Sequence, residues 1–195
     1  LERICAYGSQ AGAAVILATV AVNLRDCPPL GSLHRTDLTQ PQQAEWERLY
    51  RKAMMSEVGG DTAQAISCYE QAAALDDHHA ELYFRLARRQ LLAGQGEDAR
   101  RHFVLAKDWD ALQFRADTRL NDIVREVAAE FSDKGRLTEN NSPNPQSAIR
   151  HPQFGGPIRL VETEAALAAG ERCPDGIPGR EFFYEHVHLR FDGDY

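Results

Sequence analysis

Cysteine is scarce in this chain. Its four copies, Cys5, Cys27, Cys68 and Cys173, never stand in a Cys-x-x-Cys spacing, which excludes a zinc knuckle and a dithiol redox motif. Reduced, mostly buried thiols are expected, and with them a cytoplasmic setting. Long apolar runs are also missing. The longest, Ala11 to Val22, contains Gly12 and follows no basic stretch, so neither a membrane span nor a signal peptide is expected. Because Leu1 stands where an initiator methionine would be, the N-terminus is expected to be cut, and the compartment of a longer parent stays open. Basic clusters are absent as well. With a net charge of −7, the chain is not expected to bind nucleic acid, since polyanions reward clustered Lys and Arg. No cofactor and no metal are expected.

What is present begins with an apolar, β-branched run, Ala14 to Val22. It lacks alternation, as a central strand covered on both faces does. A helix tail over Leu1 to Tyr7 precedes it, and the Pro-rich loop Asn23 to Pro29 follows it, on the side where open α/β sheets place ligands. A short strand over Ile158 to Val161, a helix over Glu162 to Ala169 and a turn-rich loop over Cys173 to Gly179 resume the same grammar.

Between these segments the chain repeats itself at an offset of 34 residues. Leu49 pairs with Tyr83, Ala53 with Ala87, Gly60 with Gly94, Ala65 with Ala99, Tyr69 with Phe103 and Ala72 with Ala106. Small residues let antiparallel helices approach, large ones fill the gaps, and glycine makes the turn. The pattern resembles the tetratricopeptide repeat over two units, about 68 residues. A third unit does not follow. Instead Leu120, Ile123, Val124, Val127 and Phe131 predict one amphipathic capping helix. The resemblance implies either a concave peptide-binding surface or a lid and spacer.

Near the C-terminus, Phe183-Tyr-Glu-His-Val-His-Leu189 with Gly193 places a carboxylate, Glu185, three residues before an imidazole, His188. That pair suits a hydrolase that activates a serine. The run resembles the last block of the SGNH (GDSL-like) hydrolases, in which an acidic residue stands three positions before the catalytic histidine. Glu185 takes the acidic place, usually Asp, and His188 the histidine place. The resemblance implies an α/β fold, a flavodoxin-like three-layer sandwich, here incomplete and carrying the inserted helical repeats. A combination of this kind resembles large bacterial repeat-containing proteins. The family's Gly-Asp-Ser block and its oxyanion-hole blocks are absent, and none of the serines stands in a strand-to-helix elbow. Truncation of the hydrolase domain is the expected reason.

The expected organisation is residues 1–40 as the first part of the α/β domain, 41–131 as repeats plus capping helix, 132–157 as a flexible linker, and 158–195 as the second part of the α/β domain. The leading functional expectation is part of a serine ester hydrolase acting through an acyl-enzyme, inert as this piece alone, with an ester substrate of unknown type. The alternative is a non-catalytic interaction module with a peptide or protein partner on the repeats. Asn23 and Arg115 are candidate substrate-binding residues, although Asn23 also suits a loop cap and Arg115 an ion pair with Asp117. His186 and His188 form a His-x-His pair with no third ligand nearby, and His34, His78, His79 and His151 read as surface residues.

Overall fold

The computed structural model describes residues 1–139 and 158–190. They fall into two units: 1–21 with 118–139 and 158–166, and 22–117 with 167–190. Gly193, His151 and most of the segment expected as a linker lie outside the described residues.

The first unit contains α1 (Glu2–Gln10), β1 (Val15–Ala18), a long helix (Thr118–Glu139) and a second strand (Ile158–Val161). The strands pair in parallel, with Val15 opposite Ile158 and Ala18 opposite Val161. Cys5, Leu17, Val127 and Ala128 form its buried core, and Val124, Phe131, Ile158 and Leu160 pack around them. Asn121 fixes the end of β1, since its Oδ1 accepts from the Val20 amide at 2.7 Å while its Nδ2 donates to the Val20 carbonyl at 3.1 Å.

Two sequence expectations change here. The apolar run of β1 was expected to be covered on both faces, but Leu17 is buried while Ile16 is 68% exposed. A run without alternation hides which face is covered, and with two strands only one face meets the helix. Among the described residues the sheet has these two strands alone, so the layers of a flavodoxin-like sandwich are not formed by them, and the chain is mostly helical. The long helix also runs to Glu139, into the stretch read as a linker.

The second unit holds the repeats. After β1 come α2 (Gln40–Val58), α3 (Thr62–Leu75), α4 (Ala80–Leu92) and α5 (Gly96–Asp108); the Thr118–Glu139 helix is α6, Ile158–Val161 is β2, and Thr163–Ala168 is α7. Thr39 and Gln42 close a capping box on α2, with Pro41 in its first turn, and the Asp61 side chain caps α3 through the Gln64 amide. Gly60 and Gly94 turn each hairpin at φ +80° and +75°, a left-handed conformation that disfavours any residue with a Cβ. The positions paired at the 34-residue offset become the core: Ala53, Ala65, Ala72, Ala87, Ala99 and Ala106 are buried, as are Leu49, Tyr69, Tyr83 and Phe103. All four cysteines are free and buried.

The loop before α2 contributes more than the sequence suggested. His34, expected at the surface, places its ring centroid 4.6 Å from that of Trp46 and 5.0 Å from that of His79. Both histidines are half-buried. His79 Nδ1 accepts from the Leu82 amide at 3.3 Å, capping α4, and the His79 ring lies 4.7 Å from Trp46. Burial and the neighbouring His34 depress the His79 pKa, with Asp76 and Glu81 opposing. Burial also depresses that of His102. A histidine held below its unfolded pKa contributes stability above the unfolded value, and this is lost as pH falls towards the folded one. The melting temperature is therefore expected to fall between pH 7.5 and 5.5. His79→Asn, which keeps a capping acceptor but cannot titrate, should show a smaller fall; an unchanged pH profile would contradict the assignment.

Candidate functional site

Two places in the second unit qualify. The first is the hairpin that carries the Glu-His-Val-His run. Phe183 and Leu189 form an antiparallel bridge, and Tyr184 N donates to the His188 carbonyl at 2.9 Å. The histidines, which a His-x-His spacing would set on one face of a strand, thus stand at a hairpin tip, and among the described residues the hairpin is not a strand of the β1–β2 sheet. It is tied instead to the loop after β1: Asn23 N donates to the His186 carbonyl at 2.8 Å, and Asn23 Nδ2 to the Glu185 carbonyl at 2.9 Å. Beside it, Ile177 is fully buried in the repeat core and Val187 packs against that core.

Glu185 is brought to both histidines. Its Oε2 lies 3.0 Å from His186 Nδ1, and its Oε1 is hydrogen-bonded to His188 Nδ1. Desolvation pushes the carboxyl up, but hydrogen bonds from His188, from the His186 amide and ring, and from the His188 amide outweigh it and hold the pKa at about 2. Glu185 is therefore an anion at any physiological pH. The His188 side chain is 81% exposed, so solvent competes for this pair. Among the described residues no group of three or more metal-ligating side chains is assembled.

Asn23 and Arg115 sit close by but are committed to the fold. Asn23 is buried, and besides its bonds to the hairpin its Oδ1 accepts from the Asp26 amide at 2.9 Å, the loop-capping role. Arg115 is buried and donates to the carbonyls of Asn23 at 3.0 Å and Cys27 at 2.8 Å. It also pairs with Asp110 at 3.3 Å, a carboxylate partner the sequence did not suggest.

The second place is the outer surface of the repeats. A shallow concavity of about 280 Å³ lies on α2, lined by Ala44, Glu47, Arg48, Arg51, Lys52 and Met55. The repeat explains its character. At the 34-residue offset Arg48 corresponds to Leu82 and Lys52 to Leu86, and both leucines are fully buried in the core. Charge at those positions makes this a polar end face, unfit to receive another apolar helix.

A different stripe behaves otherwise. Met54 and Val58 stand one turn apart on α2, and the equivalent positions on α4 are Arg88 and Leu92. Val58 is 90% exposed and Leu92 69%. Arg88 is exposed too, with its guanidinium 6.0 Å from the centre of the Phe84 ring. Neither the stripe nor Asp110 was found from the sequence, because the comparison at the offset attended to positions that match a core. Exposed apolar residues recurring at the same offset were the available signal.

No helix among the described residues is long and apolar enough to cross a membrane. Searches of curated proteins and of solved structures return no match. Residues 59–117 match the tetratricopeptide repeat family model, so the segment that carries α3, α4 and α5 is similar to tetratricopeptide repeats.

Proposed function

We propose that the chain is a protein-interaction module, and that a partner seats on the faces of α2 and α4 that carry Met54, Val58, Arg88 and Leu92. One observation carries this reading: of the apolar pairs that repeat at 34 residues within α2 to α5, Val58 and Leu92 are the pair with both members exposed. Large apolar side chains held at equivalent positions of a rigid scaffold are suited to act as anchors, which gain by burial only when a partner arrives. Arg88 adds a cation beside them, so the fitting partner is a polypeptide segment with apolar side chains and a nearby carboxylate.

A photoreactive amino acid placed at Val58 or Leu92 should crosslink a discrete partner in cells, and one placed at exposed Arg101 on α5 should not. Equal labelling from all three sites, or from none, contradicts the reading.

One observation favours a second reading, in which the chain is part of a serine ester hydrolase with a larger α/β domain of flavodoxin-like type. The carboxylate of Glu185 meets His188 at Nδ1, the nitrogen that an orienting acid holds when Nε2 serves as general base. In that reading His188 Nε2 takes the proton from a serine hydroxyl supplied elsewhere in the protein, Glu185 stabilises the imidazolium, and an acyl-enzyme is then hydrolysed by water. Asn23 would support the hairpin by positioning its backbone, and Arg115 would hold the Asn23 carbonyl in turn. This reading requires esterase activity in the full-length gene product that His188→Ala lowers by roughly a thousandfold or more. Unchanged activity removes it.

A further inference from the structure

Two aspartates stand at equivalent places after the second helix of each repeat, Asp76 after α3 and Asp110 after α5, 34 residues apart. Both are buried. Each accepts the amide two residues on, His78 N at 3.0 Å for Asp76 and Leu112 N at 3.1 Å for Asp110. Each also holds the chain that runs from Leu30 to Arg35. Asp110 accepts the amides of Leu30 and Gly31, both at 3.0 Å, while Asp76 accepts the Arg35 amide at 3.3 Å and meets His34 Nδ1 at 2.6 Å. Between them Ser32 Oγ accepts the Glu81 amide at 2.8 Å, and the Gly31 carbonyl accepts Ala111 N at 3.0 Å.

We propose that Asp76 and Asp110 form a rail for an extended polypeptide backbone, and that Leu30–Arg35 is its resident, releasable occupant, a strap that opens without unfolding the repeats. This inference does not depend on the partner-binding surface proposed above. Charge-assisted bonds to backbone amides supply the hold, and they read no side chain except that of His34. Leu30 and Leu33 are 45% and 67% exposed, so little aliphatic burial secures the strap, and its side-chain packing is that of the His34 ring on Trp46 and His79. Segments held this way open at a lower free energy than the core around them. Once the strap leaves, two buried carboxylates face outward, and another extended segment satisfies them by offering its amides.

Native-state hydrogen exchange on the unmodified chain reads the opening. The amides of Leu30, Gly31 and Arg35 are expected to exchange at least about 100-fold faster than those of Ala72 and Phe103, with little dependence on low denaturant. Exchange at the rate and denaturant dependence of the helices overturns the proposal. A labelled peptide spanning Pro29 to Thr36 then reads the rail. It should bind Gly31→Pro, whose own strap lacks one donor, at least about tenfold more tightly than the unmodified chain. Adding Asp76→Asn should weaken that binding by a similar factor, and binding indifferent to Asp76 overturns the proposal. If Gly31→Pro does not fold, the exchange experiment decides alone.

Discussion

Truncating Phe103 to alanine is expected to lower the stability of the repeat unit by about 3–5 kcal/mol, the range for an aromatic removed from a well-filled core. Phe103 is 1% exposed, and its ring meets that of Phe84 edge-on at 5.5 Å. It lies where the small residues Ala99 and Ala106 let α4 and α5 approach, so relaxation cannot close the cavity cheaply. Its counterpart Tyr69 should lose as much on truncation. Tyr69→Phe separates the ring from the hydroxyl, which donates to Glu57 Oε2 at 2.8 Å, and should cost about 1 kcal/mol. Urea titrations give both values. A loss below about 1 kcal/mol for Phe103→Ala would mean that the repeats do not share the tightly filled core described above.

Replacing Asp110 with alanine is expected to cost about 3–5 kcal/mol, because a buried guanidinium is left without its carboxylate. Arg115 is 4% exposed and Asp110 4%. The same substitution strips the acceptor from the amides of Leu30, Gly31 and Leu112. Pairing Asp110→Ala with Arg115→Met removes the stranded charge and should recover part of the loss, whereas Arg115→Met in the presence of Asp110 leaves the carboxylate its backbone donors. A double-mutant cycle without recovery would show that the amides, not the ion pair, carry the effect.

The repeat was legible because close helix crossings leave a one-dimensional trace. Ala53, Ala65, Ala87 and Ala99 have no side chain to spare, and Gly60 and Gly94 occupy a backbone region that other residues avoid. The strand pair was legible in part. Ile158–Val161 appeared with the bounds read from the sequence, yet Ile16 faces water, since an unbroken apolar run carries no information about which face is covered. The loop before α2 was illegible for another reason. His34 reaches Asp76 across 42 residues, and Leu30 reaches Asp110 across 80; no local pattern encodes such bonds. The 34-residue spacing of Asp76 and Asp110 was the signal available in the sequence.

At the candidate sites, the contact between Glu185 and His188 followed from a three-residue separation in a turn. The hairpin's place was not foreseen. The expectation of a common sheet joining β1 to the histidine run gave way to a hairpin tied through Asn23 and seated beside Ile177 in the repeat unit. Of the two readings that the sequence left for Asn23 and Arg115, substrate binding or local support, their bonds match local support, since they hold backbone carbonyls and amides that would otherwise be buried without partners. The loop-capping role of Asn23 was readable from the sequence, and so was an ion pair at Arg115, though its carboxylate is Asp110 and not Asp117.

The measurement that bears most directly on the interaction reading is the affinity of the crosslinked partner for three forms of the chain: unmodified, Val58→Asp with Leu92→Asp, and His188→Ala. Burying a carboxylate in place of an apolar anchor should weaken binding at least about tenfold in the double variant. His188→Ala should leave it unchanged. Binding that survives the double variant and is lost with His188 would contradict the assignment of the repeat faces as the functional surface and shift it to the histidine hairpin.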